Sequence, residues 1–302
     1  MQSLYAARSQ TFRGCAASLA ASAMFGGIYY YTTLLEPLTG IEIYGWRILF
    51  TVPFLTLFMV MGGFWPMAAS LLARLKANPV FLLPLSVSSF LMGIQIWLFM
   101  WAPLNGKALD VSLGYLLMPL AMVVCGRVVY KDTLQPYQKA AVVCAALGVA
   151  NQVVQVGGLS WATLIVPLGY PLYFMLRKRL RADNLGGLWA DMTLMLPSAF
   201  LALYVGEAPV AALWANRPAL MGLLPFLGVI SALSVALFVL AGQLLPLSLF
   251  GLLGYVEPVL LVVVSLLLGE TIQMGEVPTY FGVGLAVVIL ALGGARSRGK
   301  AR

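Results

Sequence analysis

Apolar residues in this chain come in long runs, not in the alternation of a half-buried strand or the one-sided stripe of a surface helix. Ten runs are separated by short connections that hold most of the charges: 14–35, 43–62, 79–101, 109–129, 137–154, 160–177, 188–206, 219–240, 246–268 and 277–295. Each is close to the ~20 residues that an α-helix needs to cross ~30 Å of hydrocarbon. Backbone inside lipid must satisfy its own hydrogen bonds, so runs of this length read as helices. The pattern predicts an all-α membrane protein of ten transmembrane helices, with no loop large enough for a soluble domain. The first run follows Arg8 and Arg13 and contains Ala21-Ser22-Ala23, which resembles a cleavage site. It continues to Leu35, and is expected to stay as an uncleaved first helix.

Composition agrees. The 302 residues are 62% hydrophobic and 9% charged, against about 45–50% and 25% in soluble domains. The net charge of +8 is not a nucleic-acid footprint, because the basic residues sit in short clusters between apolar runs, where they orient a membrane protein. With the N-terminus in the cytoplasm, Arg8, Arg13, Arg74, Lys76, Arg127, Lys131, Lys139, Arg177, Lys178, Arg179, Arg181, Arg296, Arg298, Lys300 and Arg302 fall inside, and Arg47, Lys107 and Arg217 outside. That split of 15 to 3 predicts both termini in the cytoplasm of a bacterial inner-membrane protein. Cys15, Cys125 and Cys144 lie in or at the end of apolar runs, which gives no disulfide framework. There is no histidine, so no metal site or cofactor is expected, and a proton relay must use carboxylates.

An internal echo points to duplication. Gly114 to Pro119 reads GYLLMP and is followed by DTLQ from Asp132; Gly254 to Pro258 reads GYVEP and is followed by ETIQ from Glu270. The second copy is one residue short. The copies fall in the fourth and ninth helices, five apart, so they run oppositely through the membrane, as inverted repeats do.

These residues also carry a family resemblance. WAPLNGKALDVSLGYLLMPL, from Trp101 to Leu120, resembles the signature of RarD-like permeases of the EamA group in the drug/metabolite transporter superfamily. EIYGWRILF (Glu42 to Phe50), LYFMLRK (Leu172 to Lys178) and LGYVEP with a later Gly269-Glu270 match in the same order. The resemblance implies two inverted five-helix EamA-type repeats, 12–155 and 159–295, a basic cytoplasmic tail at 296–302, a central cavity and secondary transport, usually export. Two positions depart from it. Met118 stands where asparagine is usual, and Glu257 where the residue is usually uncharged.

Glu257 is the foremost candidate for solute binding. Eleven residues into the ninth run, it lies roughly 16 Å deep, about the middle of a ~30 Å core. A carboxylate there is costly unless it faces a watery cavity, meets a cation or takes up a proton; the bland alternative is a protonated acid hydrogen-bonded to a neighbouring helix. Pro119 and Pro258, with Gly114 and Gly254 nearby, are expected to break their helices at matching places and open a cavity, or merely to kink them. Tyr115, Tyr255, Tyr173 and Gln95 are candidate solute contacts, with Tyr30, Trp97 and Tyr170 also at depth. Trp101, Trp161, Trp189 and Trp214 fit interface belts. Glu42 and Arg47, near the outer end of the second run, are placed to pair with Lys107 or Asp110, either as an outer gate or as a structural clamp. Asp191 is expected to approach the Arg177 to Arg181 cluster in a structural role.

The expectation is therefore an exporter of a small amphipathic or zwitterionic metabolite working by alternating access. An amino acid, an amino-acid-derived metallophore of the opine type and a drug such as chloramphenicol all qualify, with protons as a candidate coupling ion. The partners are the solute and the lipid bilayer; a homodimer is left open. No phosphate-cradling G-x-x-x-x-G-K-[ST] sequence is present, and no His, Asp or Cys cluster of an enzyme. The alternatives are a passive facilitator or importer and, more remotely, an intramembrane lipid-modifying enzyme.

Overall fold

The structure is a computed structural model that describes residues 2–104, 108–156, 160–206, 217–267 and 274–299. Expectations placed on Lys107, Trp214, residues 269–273 and residues 300–302 lie outside those residues. Thirteen α-helices are described: α1 (Gln2–Thr32), α2 (Gly40–Met61), α3 (Trp65–Ala77), α4 (Leu82–Leu104), α5 (Ala108–Val129), α6 (Pro136–Val156), α7 (Trp161–Arg179), α8 (Leu185–Leu194), α9 (Leu196–Val205), α10 (Leu220–Leu244), α11 (Leu247–Leu253), α12 (Val256–Leu267) and α13 (Val277–Gly299). No strand occurs among the described residues. By length and composition, Gly40–Met61, Pro79–Phe99, Leu185–Val205 and Leu220–Leu244 can each cross a membrane.

Two expected helices are broken and one helix was not foreseen. The seventh run is split at Met195, with Pro197 in the first turn of α9, where a missing N–H costs nothing. The ninth is split at Gly254 and Tyr255, between α11 and α12. The additional helix, α3, has 13 residues and is too short to span. It buries Ala68 and Leu71 and packs on α8. Its Arg74 donates to the Leu180 and Arg181 carbonyls and lies 4.3 Å from the Phe81 ring. Lys178 sits over Tyr130 and Arg127 donates to the Asp132 carbonyl, so basic residues from both halves of the chain gather at one end of the bundle. Near that end the Asp132 carboxylate also accepts from the Ser248 N–H at 3.0 Å, at the start of α11.

Packing is closest where glycine removes a side chain, as in membrane bundles generally. A Cβ on Gly114 would lie 2.6 Å from the Thr163 carbonyl, which brings α5 onto α7; one on Gly251 would lie 2.4 Å from Met122, which brings α11 onto α5. The helices α6 and α13 meet at Gly148 and Gly282, and Asn151 bonds across them to the Gly275 carbonyl and Thr279. They form a core of their own with one face of α5, while α1, α2, α4, α7, α8 and α10 share the main core.

Candidate solute site

The main core is hollow where helices of both halves converge. A cavity of about 50 Å³ is lined by Phe25 and Ile28 of α1, Arg47 of α2, Met92, Ile96 and Phe99 of α4, Tyr115 and Met118 of α5, Tyr170 of α7, Val235 and Phe238 of α10, and Glu257 of α12. That is room for about three to five waters, at about 10–15 Å³ each.

Helical periodicity explains its walls. On α4, Met92, Ile96 and Phe99 follow one another at i, i+4 and i+7, one face of a helix. On α5, Tyr115 and Met118 are i and i+3, again one face. The aromatic members form a chain of rings, Phe99 to Tyr115 at 5.7 Å, Tyr115 to Tyr170 at 6.2 Å, Tyr170 to Phe238 at 6.2 Å and Phe238 to Phe25 at 5.8 Å. The Tyr115 and Tyr170 hydroxyls also interact with each other.

Two charged groups interrupt this aromatic wall. Glu257 sits in the first turn of α12, where the positive end of the helix dipole favours a negative charge. The break at Gly254 and Tyr255 creates that end, and it leaves Pro258 in a first turn rather than mid-helix. Arg47 is almost fully buried, and its Nε donates to Ser231 Oγ of α10 at 3.0 Å. Among the described residues its terminal nitrogens have no hydrogen-bond acceptor, and the Glu257 carboxylate has no hydrogen-bond donor and no ion pair. Each feels the other's charge.

The remaining sequence candidates divide. Tyr115 and Glu257 meet in the cavity, and Met118 and Glu257, the paired pre-proline positions of the internal echo, both line it. Tyr255 does not. It is fully buried among α5, α6 and α13, its hydroxyl without a partner. Tyr115 precedes Met118 by three on one continuous helix and shares its face, whereas Tyr255 falls in the break before α12 and is not on a helical face with Glu257. Gln95 turns from the cavity to donate to the Ile165 carbonyl at 3.0 Å. Tyr173 donates to Asp191 at 3.0 Å, and Asp191 pairs with Arg177 at 2.9 Å, with side-chain exposures of 2% and 0% for the arginine and aspartate. These three tie helices together behind the wall.

The matched helix breaks are also corrected: α5 runs unbroken through Pro119, and the second copy alone is interrupted. Gly114 serves contact with α7, and Gly254 lies against Met118. Glu42 and Arg47 turn to different partners, and the expected partner Lys107 lies outside the described residues. The Glu42 carboxylate turns back to accept from Thr39 N–H and Oγ1 at 2.8 and 2.7 Å, capping α2, while Arg47 turns inward. Asp110 lies in the first turn of α5.

Arg47 is the cavity residue whose place the sequence reading missed, although a signal was present. Counted from the start of α2 at Gly40, it lies roughly 11 Å deep; Glu257, counted from the other side, lies roughly 16 Å deep in a ~30 Å layer. The two depths nearly coincide.

A larger recess of about 590 Å³ lies on the other face of α4, against α2, α8 and α9, where Tyr44, Gly93, Trp97 and Ser198 line it. It holds no charged side chain, and Tyr44, Ser89 and Ser198 are already hydrogen-bonded within the protein. It makes no demand for a polar guest.

Helices of both halves enclose a buried cavity with opposite charges in a multi-pass membrane protein, and comparison places it. The EamA-like transporter family matches residues 12–151. Chloramphenicol-sensitive protein RarD of Pseudomonas aeruginosa is 42% identical over 286 residues, covering 94% of this chain and 95% of that one. An uncharacterized transporter of Pasteurella multocida is 39% identical over 277 residues, 92% and 94% of the two chains. A crystal structure of a protein 14% identical in sequence shares the fold, with a TM-score of 0.64 over 96% of this chain and 98% of the other. The chain belongs to the EamA-like transporter family, as a RarD-like permease of the drug/metabolite transporter superfamily.

Proposed function

We propose that this permease is a secondary active exporter of a small amphipathic or zwitterionic metabolite, working by alternating access in the bacterial inner membrane. The observation that carries the reading is Glu257, an acid with no hydrogen-bonded partner among the described residues, facing an aromatic cavity between the two halves. Its carboxylate meets either a proton or a cationic solute group, which couples solute movement to a proton gradient. Tyr115 and Glu257 touch the solute, and Gln95, Tyr173 and Tyr255 hold the surrounding wall. The halves are two inverted five-helix repeats, 12–155 and 159–295, within ten spans, with both termini cytoplasmic. Helix pairing supports this: α2 packs on α8 and α9, α5 on α11 and α6 on α13, the second, fourth and fifth spans each on its counterpart, and α1 on α10 is mirrored by α4 on α7. Candidate solutes are amino acids, opine-type metallophores and drugs.

Metabolomics of medium and cytoplasm, from cells with and without the protein and grown rich and metal-starved, tests this. The expected result is a metabolite that accumulates inside and vanishes outside on deletion. Glu257→Gln is expected to behave like the deletion, or to export with no dependence on external pH. Wild-type export and pH dependence in that variant refute the role of the acid.

A further inference from the structure

We infer that Arg47 is the anion-recognising pole of the solute site, so that the cavity selects solutes carrying both a carboxylate and an amine on an apolar body. The inference rests on the transport reading above and narrows its substrate class. Arg47 presents five N–H donors in a planar fork, and one of them, Nε, is used by Ser231. That bond fixes the plane of the guanidinium from α10 and leaves both terminal nitrogens for a guest. The matching geometry for such a fork is a carboxylate held by two parallel bonds. Across the cavity the Glu257 carboxylate stands without a donor, suited to an ammonium group. The two are not in salt-bridge contact among the described residues. Two buried opposite charges held apart in a membrane bundle are costly unless something completes them. Once alternating access widens the cavity beyond its present volume of about 50 Å³, a zwitterion oriented with its carboxylate toward Arg47 and its amine toward Glu257 satisfies both at once. Phe25, Phe99 and Phe238 cover its apolar part.

A neutral solute fits less well. It would rest on the rings and leave both charges buried and unmet, the situation in which polar sites discriminate most strongly.

The test uses the full-length protein and the solute found by the metabolomic comparison. That solute should be retained by cation-exchange resin at acid pH, where its carboxylate is protonated, and by anion-exchange resin at alkaline pH, where its amine is neutral. Purified wild-type protein in detergent should bind it at least tenfold more tightly than its carboxyl-amide derivative. Arg47→Lys and Arg47→Met, each first shown to be monodisperse, should lose that preference, because neither supplies the fork. Glu257→Gln should keep it while losing the distinction between amine and N-acetylated solute. A dependent solute that lacks the carboxylate or the amine overturns this inference and leaves the transport reading standing. So does a carboxylate preference that survives in Arg47→Met. Deletion without effect on any metabolite, inside or outside, overturns both.

Discussion

Asp191→Ala gives the sharpest stability prediction. The carboxylate accepts from Arg177 Nη1 at 2.9 Å and from the Tyr173 hydroxyl at 3.0 Å, and Arg177 also donates to the Asn184 carbonyl. Removing the aspartate leaves a fully buried guanidinium without its countercharge. One-sided truncations of buried pairs cost about 3–5 kcal/mol, and an orphaned tyrosine hydroxyl adds about 1 kcal/mol. At about 2 °C per kcal/mol for a chain of this size, the expected fall in Tm is about 8–12 °C. It is measured by fluorescence-detected size exclusion of heated detergent extracts. Arg177→Met with Asp191→Leu removes both charges at similar volume and should recover most of the loss. A single variant within about 2 °C of wild type, or a double variant no better than the single, refutes the view that this pair is a coupled staple.

Gly114→Ala puts a Cβ 2.6 Å from the Thr163 backbone carbonyl. The carbonyl belongs to α7 and cannot swing aside, so α5 and α7 must separate; the cost is about 1–3 kcal/mol, read as a lower Tm together with reduced solute flux, since Tyr115 is carried by the same turn. Asp132→Ala removes the acceptor of the Ser248 N–H at the start of α11 and should cost about 1 kcal/mol, with Asp132→Asn retaining part of it; equal Tm values for wild type and the alanine variant would show that this cap is not stabilising.

Much of the bundle was legible because lipid imposes a length rule on apolar runs that loops cannot imitate. Most runs recur as helices near the expected bounds, but α1 begins at Gln2 and not at 14, because its polar N-terminal residues continue the helix outside the apolar run. The breaks at Met195 and at Gly254 and Tyr255 were less legible, because proline inside an apolar run is compatible with a kink, a tolerated continuation or a new first turn. Pro119 and Pro258 illustrate this, one sitting in a continuous helix and the other at the start of a new one. The helix α3 escaped because its 13 residues fall below spanning length and its basic residues read as a loop.

Within the site, depth counting put Glu257 near the middle of the layer from the sequence alone, whereas Tyr255 falls in the helix break, where periodicity assigns no face. The same arithmetic applied to Arg47 reaches nearly the same level, although its position near a run boundary invited a reading as an interfacial charge. The chain's apolar runs, the rarity of its charges and the echo around Pro119 and Pro258 determined an all-helical membrane protein with an acid at depth. Tertiary structure decided which side chains share the cavity. Facing is set by the rotation of each helix against its neighbours, and that rotation is fixed by contacts far apart in the chain, such as Arg47 on Ser231 and Gly114 on Thr163, which no local pattern contains.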